Sequence, residues 1–205
     1  MVYVPAAMTS PTRRNPPAEL LIFGDTIDEL FRRILGPKLD KAAHAELAQA
    51  GLDLSRPTLP AYPLAVFEKC LTIAAKRLWP ERPLKDGLAQ LGEMQVDAFA
   101  STMVGRASIA LLKMVGLRRA LQRLTHAWRN ANNFIEATVK DLGDERFEVH
   151  VNEVGTQPES FLGVLRGGLR HLNEPRRVSI QKYDGRSCTY LIESAKALGS
   201  PGRAP

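Results

Sequence analysis

The sequence predicts an α+β domain, with an N-terminal helical portion over residues 20–131 packed with a C-terminal antiparallel ββαββ unit over residues 132–195. Three observations carry that reading. Apolar residues recur at helical spacing from Asp25 to Ala131. The period then changes to two, with Phe147, Val149 and Val151 on one face and Arg146, Glu148, His150 and Asn152 on the other. Finally, a helical run from Pro158 to Leu172 separates that strand pair from a second one turned at Asp184-Gly185, and hairpin, helix, hairpin folds naturally into one sheet with a helix against it.

The elements follow in order. Residues 1–19 and 196–205 are poor in core-forming residues and read as disordered tails. Asp25 is the expected N-cap of a helix to Leu35, with Ile27, Leu30, Phe31 and Ile34 as its apolar stripe and Gly36-Pro37 as its stop. A more polar helix spans Lys38 to Ala50, closed by Gly51. A third starts near Tyr62-Pro63 and buries Leu64, Phe67, Cys70, Leu71, Ala74 and Leu78 before Trp79-Pro80 ends it. Pro83 suits the first turn of the next helix, whose pattern runs to Gly116 with Gly87, Gly92 and Gly105 as break points. Ala107–Val115 is apolar nearly all round and reads as a buried central helix. Leu117–Ala131 reads as one amphipathic helix, and Asn133–Asp141 as the first strand of the sheet.

Composition narrows the function classes. The chain has 205 residues, 44% of them hydrophobic and 24% charged, an ordinary balance for one domain. Its only cysteines, Cys70 and Cys188, are far apart, which argues against a disulfide framework or a structural zinc site and for a reducing, cytoplasmic setting. The N-terminal region lacks the pattern of a secretory signal, and no window reaches the length of a membrane span. The net charge is +6; Arg13 and Arg14 supply two of these charges, Lys196 and Arg203 two more, leaving +2 for residues 18–195. That weak field argues against nucleic acid as the main partner.

No motif for chemistry emerges. Gly163, Gly167 and Gly168 fall inside a helix and not at a strand-to-helix turn, so they do not form a phosphate cradle. The Gly163-x-x-x-Gly167 spacing instead implies close packing of the helix on the sheet, or a wall left open for a ligand. His44, His126, His150 and His171 form no metal-binding pair and read as surface residues. Cys70 reads as a small buried hydrophobe, with a reactive thiol facing an internal cavity as the sharper alternative. Arg118, Arg119, Arg123 and Arg129 form a basic series that reads first as a solvated face and second as a phosphate-binding surface.

The succession Tyr62-Pro63, Leu91-Gly92, Thr102-x-x-Gly105, Gly116-Leu-Arg-Arg and Asn132-Asn133 resembles a paralogous family of myxobacterial proteins of about this length, described as a domain of unknown function. The resemblance spans residues 20–193 and implies no activity to carry over. A more distant likeness is to the architecture of haem-nitric-oxide-binding domains, V4R domains and small TRAPP tethering subunits, which also place a helical portion before a ββαββ-like unit. The haem branch is characterised by a proximal histidine and a Tyr-x-Ser-x-Arg motif, and the latter is absent from this sequence. The expectation is therefore a non-enzymatic sensory or adaptor domain without catalytic, cofactor-binding or metal-binding residues. It would bind a small apolar ligand or a protein partner, and it could form a homodimer. Cys70, Thr102, Gly105, Gly163 and Gly167 are the candidate pocket or close-packing positions, and Arg118, Arg119, Arg123 and Arg129 the alternative nucleic-acid surface.

Overall fold

The computed structural model describes residues 19–174 and 176–194. The tails expected at 1–19 and 196–205 lie outside that range, apart from Glu19. The chain enters through β1 (Leu21–Phe23), which pairs antiparallel with β2 (Ala61–Pro63). Three-residue strands are too short to impose a readable alternation. Tyr62-Pro63 therefore closes a strand, and α3 (Leu64–Leu78) starts directly after it.

Between the two strands, α1 (Gly24–Ile27) runs on as a π-helical stretch, Asp28–Leu35. Asp25 is not the N-cap: Phe23 holds that position, and the Gly24 amide donates to the Pro60 carbonyl at 2.8 Å, so the residue preceding β2 satisfies the helix end. Ile27, Leu30 and Phe31 are buried as their spacing predicts. α2 (Lys41–Gln49) starts at Asp40, whose carboxylate accepts from the Ala43 amide at 2.7 Å.

α4 (Leu84–Ser101) and α5 (Met103–Val115) meet at a bend of 100°. The break falls at Thr102, not at Gly87, Gly92 or Gly105, because Thr102 ends one helix and caps the next. Among the described residues, no single helix is long and apolar enough to cross a membrane. α5 is not the buried central helix its composition suggests. Only Gly105 is buried, while Met103 is 80% exposed, Val104 67%, Leu111 61% and Met114 84%. An apolar helix needs a layer on each side to be central, and among the described residues nothing covers the outer side. The expected helix over Leu117–Ala131 is also broken, into α6 (Leu117–Gln122) and α7 (Leu124–Trp128), with the turn at Arg123. The turn lets Leu117, Ala120 and Leu121 bury in one direction while Trp128 reaches Phe161, edge to face at 5.5 Å.

The C-terminal unit is the ββαββ arrangement the sequence predicts. β3 (Ala137–Gly143), β4 (Arg146–Val151), β5 (Arg176–Tyr183) and β6 (Cys188–Ser194) form an antiparallel sheet in the order β3-β4-β6-β5. In register, Phe147 faces Ile192, Val149 faces Tyr190 and Val151 faces Cys188, so one face of the two central strands is a continuous apolar layer. α8 (Pro158–His171) covers it with Leu162, Leu165 and Leu169, and the Tyr190 hydroxyl donates to the Pro158 carbonyl at 2.8 Å.

Another side of α8 carries Gly163 and Gly167, and it packs on α4 and not, as the glycine spacing suggests, on the sheet. A Cβ on Gly163 would stand 1.8 Å from the Ala89 carbonyl oxygen, and one on Gly92 would stand 2.0 Å from that of Ser160. The two backbones touch with no side chain between them. Gly163→Ala should therefore force the helices apart and destabilise the fold by about 1–3 kcal/mol. Gly168→Ala, on the same helix with nothing within 4 Å, should stabilise it by about 0.5–1 kcal/mol. Urea denaturation of the two variants measures the contrast.

Candidate functional site

Where the helical portion meets the ββαββ unit, the chain leaves an apolar cleft of about 60 Å³. β1 contributes Ile22, α3 contributes Phe67 and Leu71, and α8 contributes Phe161, with Trp128 and Phe134 closing the side. The junction is held by Asn132 and Asn133. The Asn132 side chain accepts from the Phe134 and Ile135 amides at 3.2 and 2.8 Å and donates to the Trp128 carbonyl at 3.1 Å. Asn133 accepts from the Leu21 amide at 2.9 Å and donates to the Glu19 carbonyl at 3.0 Å. Asn132 thus braces the helix-to-sheet linker internally and Asn133 ties it to β1, which fixes one wall of the cleft.

The polar wall comes from α3 and the loop before α8. Gln157 is 8% exposed; its amide nitrogen donates to the Glu68 carbonyl at 2.8 Å and to the Thr72 hydroxyl at 2.9 Å. Its carbonyl oxygen is buried with no hydrogen-bond partner among the described residues. A buried acceptor left unpaired costs about 1–3 kcal/mol, so a donor brought to it recovers that amount. Glu68 accepts from the Thr156 amide and, at 3.0 Å, from the Thr156 hydroxyl. Burial pushes its carboxyl above the usual carboxylate range, and the neighbouring Glu153 adds to the rise against those two hydrogen bonds. Glu153 is buried but satisfied, accepting from the Arg186 guanidinium at 2.6 Å and from the Gly155 amide at 3.1 Å.

None of the five positions singled out from the sequence lines this cleft. Cys70 is fully buried in the core, and desolvation pushes its thiol up to about 12. Thr102 caps α5, its hydroxyl accepting from the Gly105 amide at 2.9 Å and donating to the Phe99 carbonyl at 2.8 Å. Gly105 sits against that same carbonyl, where a Cβ would stand 1.9 Å away. Gly163 and Gly167 face α4. Gln157 and Glu68 escaped sequence reasoning because isolated polar residues beside helix ends carry no period. The one available signal was the Gln-Pro pair opening α8, a polar residue at a helix start.

The basic series is partly neutralised. Arg118 pairs with Asp141, and Arg129 approaches Glu136 at 3.9 Å. Arg119 and Arg123 are exposed and make no ion pair among the described residues. The four histidines are dispersed: His44 contacts the Gly36 carbonyl, His150 contacts Thr189 across the sheet, His171 pairs with Asp97, and His126 is exposed.

The chain matches the model of DUF2378, a protein family of unknown function, over residues 20–193, and it belongs to that family. No curated protein matches it. In three dimensions it is similar to H-NOX domains. A doubly substituted Tt H-NOX superposes with a TM-score of 0.63 at 13% identity, covering 89% of this chain and 100% of that one. An H-NOX protein from S. oneidensis in its Fe(II)NO state gives 0.63 at 14%, covering 84% and 98%. An oxygen-binding H-NOX domain related to soluble guanylate cyclases gives 0.54 at 14%, covering 88% and 97%. At these identities the likeness is one of fold.

The residues present do not fit a haem. None of the four histidines lines the cleft, and neither Cys70 nor Cys188 does, so no axial ligand is offered there. The cavity of about 60 Å³ is also well below the ~300–1,000 Å³ of sites for large ligands.

Two outcomes test this electrostatic picture. Both thiols should resist a disulfide reagent at pH 8 in the native protein and react only on unfolding, because both cysteines are buried. The raised Glu68 carboxyl means that the folded state holds a proton more tightly than the unfolded one. The resulting stabilisation is complete below the ordinary carboxylate range and is lost as pH rises through the raised value. Glu68→Gln should therefore gain stability relative to the parent as pH rises from acidic to neutral, read as the difference in Tm across a pH series.

Proposed function

We propose that this domain is a non-enzymatic, cytoplasmic sensor of a small, largely apolar molecule carrying one hydrogen-bond donor. The carrying observation is the unpartnered Gln157 carbonyl beside an apolar cleft at the junction of the two portions. At ~10–15 Å³ per water-sized sphere, a cavity of about 60 Å³ accommodates a ligand of roughly four to six non-hydrogen atoms. The H-NOX-like architecture supports a sensory role, since the similar structures are described in NO-ligated and oxygen-bound states. The chemistry differs, because here a side-chain amide and not a metal would define the ligand.

The route to an output is mechanical. Gln157 immediately precedes α8, Phe161 lies on it, and α8 touches α4 through the glycines, with α4 leading into α5. Occupying the cleft loads the first turn of α8 and transmits that load through the backbone contact to the α4–α5 elbow. Pairing with a protein partner or a second copy would then read the elbow's position.

Pyrrole and furan test the recognition, since both have five ring atoms and only pyrrole offers an N–H. Pyrrole should shift the amide resonances of Gln157 and Phe161 at concentrations at least about tenfold lower than furan. Gln157→Met should abolish the difference. Equal binding of both ligands, or of neither, would remove the case for a donor-selective site.

A further inference from the structure

We infer that α5 and the arginines following it dock on an anionic membrane surface, with the helix lying along the interface. This inference is independent of the cleft and rests on orientation and charge. Met103, Ala107, Leu111 and Met114 recur at spacings of three and four and are all exposed, so the outward stripe of α5 is the apolar one. Gly105 is buried and Ile109 and Leu112 are half-buried on the inward side. Arg106 and Lys113, seven residues apart, flank the apolar stripe and are exposed.

From Ala98 to Ile135 the sequence contains no aspartate or glutamate, and its cations are Arg106, Lys113, Arg118, Arg119, Arg123 and Arg129. Those six equal the formal net charge of the entire chain, +6. In the fold Arg118 and Arg129 face Asp141 and Glu136, while Arg106, Lys113, Arg119 and Arg123 make no ion pair among the described residues. An apolar helical face accompanied by four such cations complements a surface that is apolar beneath and negative on top, as an anionic lipid leaflet is.

Charge also discriminates among occupants. A second copy of this chain would bring the same cations against themselves. Protein interfaces concentrate their energy in aromatic and arginine anchors seated in pockets. The outer face of α5 has no aromatic residue and no fixed hydrogen-bonding group, only flexible methionines with leucine, valine and alanine, which suit a fluid partner. The helix lies on the surface and does not cross it. Its 13 residues extend about 20 Å against a ~30 Å hydrocarbon core, and α4, which would have to continue the span, is packed against α8.

Vesicle co-sedimentation of the full chain tests the inference. Mixed phosphatidylcholine and phosphatidylglycerol vesicles should pellet the protein, pure phosphatidylcholine should not, and added salt should weaken the binding. Leu111→Ser and Met114→Ser should each lower partitioning about tenfold or more. Arg119→Gln combined with Arg123→Gln should lower it about thirtyfold. Leu59→Ser, at an exposed leucine in the loop before β2, should change nothing. Unaltered circular dichroism and Tm separate loss of docking from loss of fold. Absent binding, equal binding to neutral vesicles, or binding that survives Met114→Ser overturns the inference. A dimer in light scattering that Met114→Ser dissolves would assign the face to a second copy instead. DNA binding lost with the arginines but not with Met114 would assign the cations to nucleic acid.

Discussion

The fold depends on the place where α4 and α8 touch backbone to backbone. Gly92 on one helix and Gly163 on the other remove the side chains that would otherwise hold the axes apart. α8 belongs to the ββαββ unit and α4 to the helical portion, so this contact joins the two halves. It is tight enough that a single methyl group on either glycine meets a carbonyl oxygen within 2.0 Å. The cleft exists because the halves close there and diverge beyond it, leaving the space that Trp128, Phe134 and Phe161 border but do not fill.

The two faces of the molecule follow opposite rules. Along the sheet, each strand places apolar residues under α8 and polar residues outward, and buried polar groups such as Glu153 and Asn132 find partners. At α5 the rule inverts: the apolar stripe is outward and the inward side is held by a buried glycine and two half-buried aliphatics. Soluble monomers seldom leave such a stripe uncovered unless it meets something. Gln157 is the smaller counterpart of this inversion, a buried acceptor without its bond in a region where the rest are satisfied.

The parts of the fold legible in the sequence were those with a period. Phe147, Val149 and Val151 announce β4 because alternation and burial coincide there, and Asp184-Gly185 marks the second hairpin because the turn demands those residue types. The glycine spacing in α8 signalled close packing, yet the neighbour it packs against is α4, which no local pattern could reveal. α5 is illegible for a related reason: a helix that is apolar all round has no preferred side, and only the tertiary structure decides which face is covered. β1 and β2 escaped because three residues cannot show a period, and their pairing across Gly24–Pro60 is a long-range matter. The candidate site was almost illegible. Glu68 on α3 and Gln157 before α8 are 89 residues apart and meet only once the two portions close.

The backbone contact between α4 and α8 also determines what kind of motion the molecule allows. Interlocked side chains resist sliding in steps, because each must clear its neighbour before the next position is reached. Two glycine surfaces present no such teeth. They resist being pulled apart, since the adjoining core opens with them, but offer little friction against turning about the point of contact. The crossing is therefore a point of closest approach about which the helices are hinged, and turning there is opposed further along by Arg170 and His171 of α8, which hold Glu93 and Asp97 of α4.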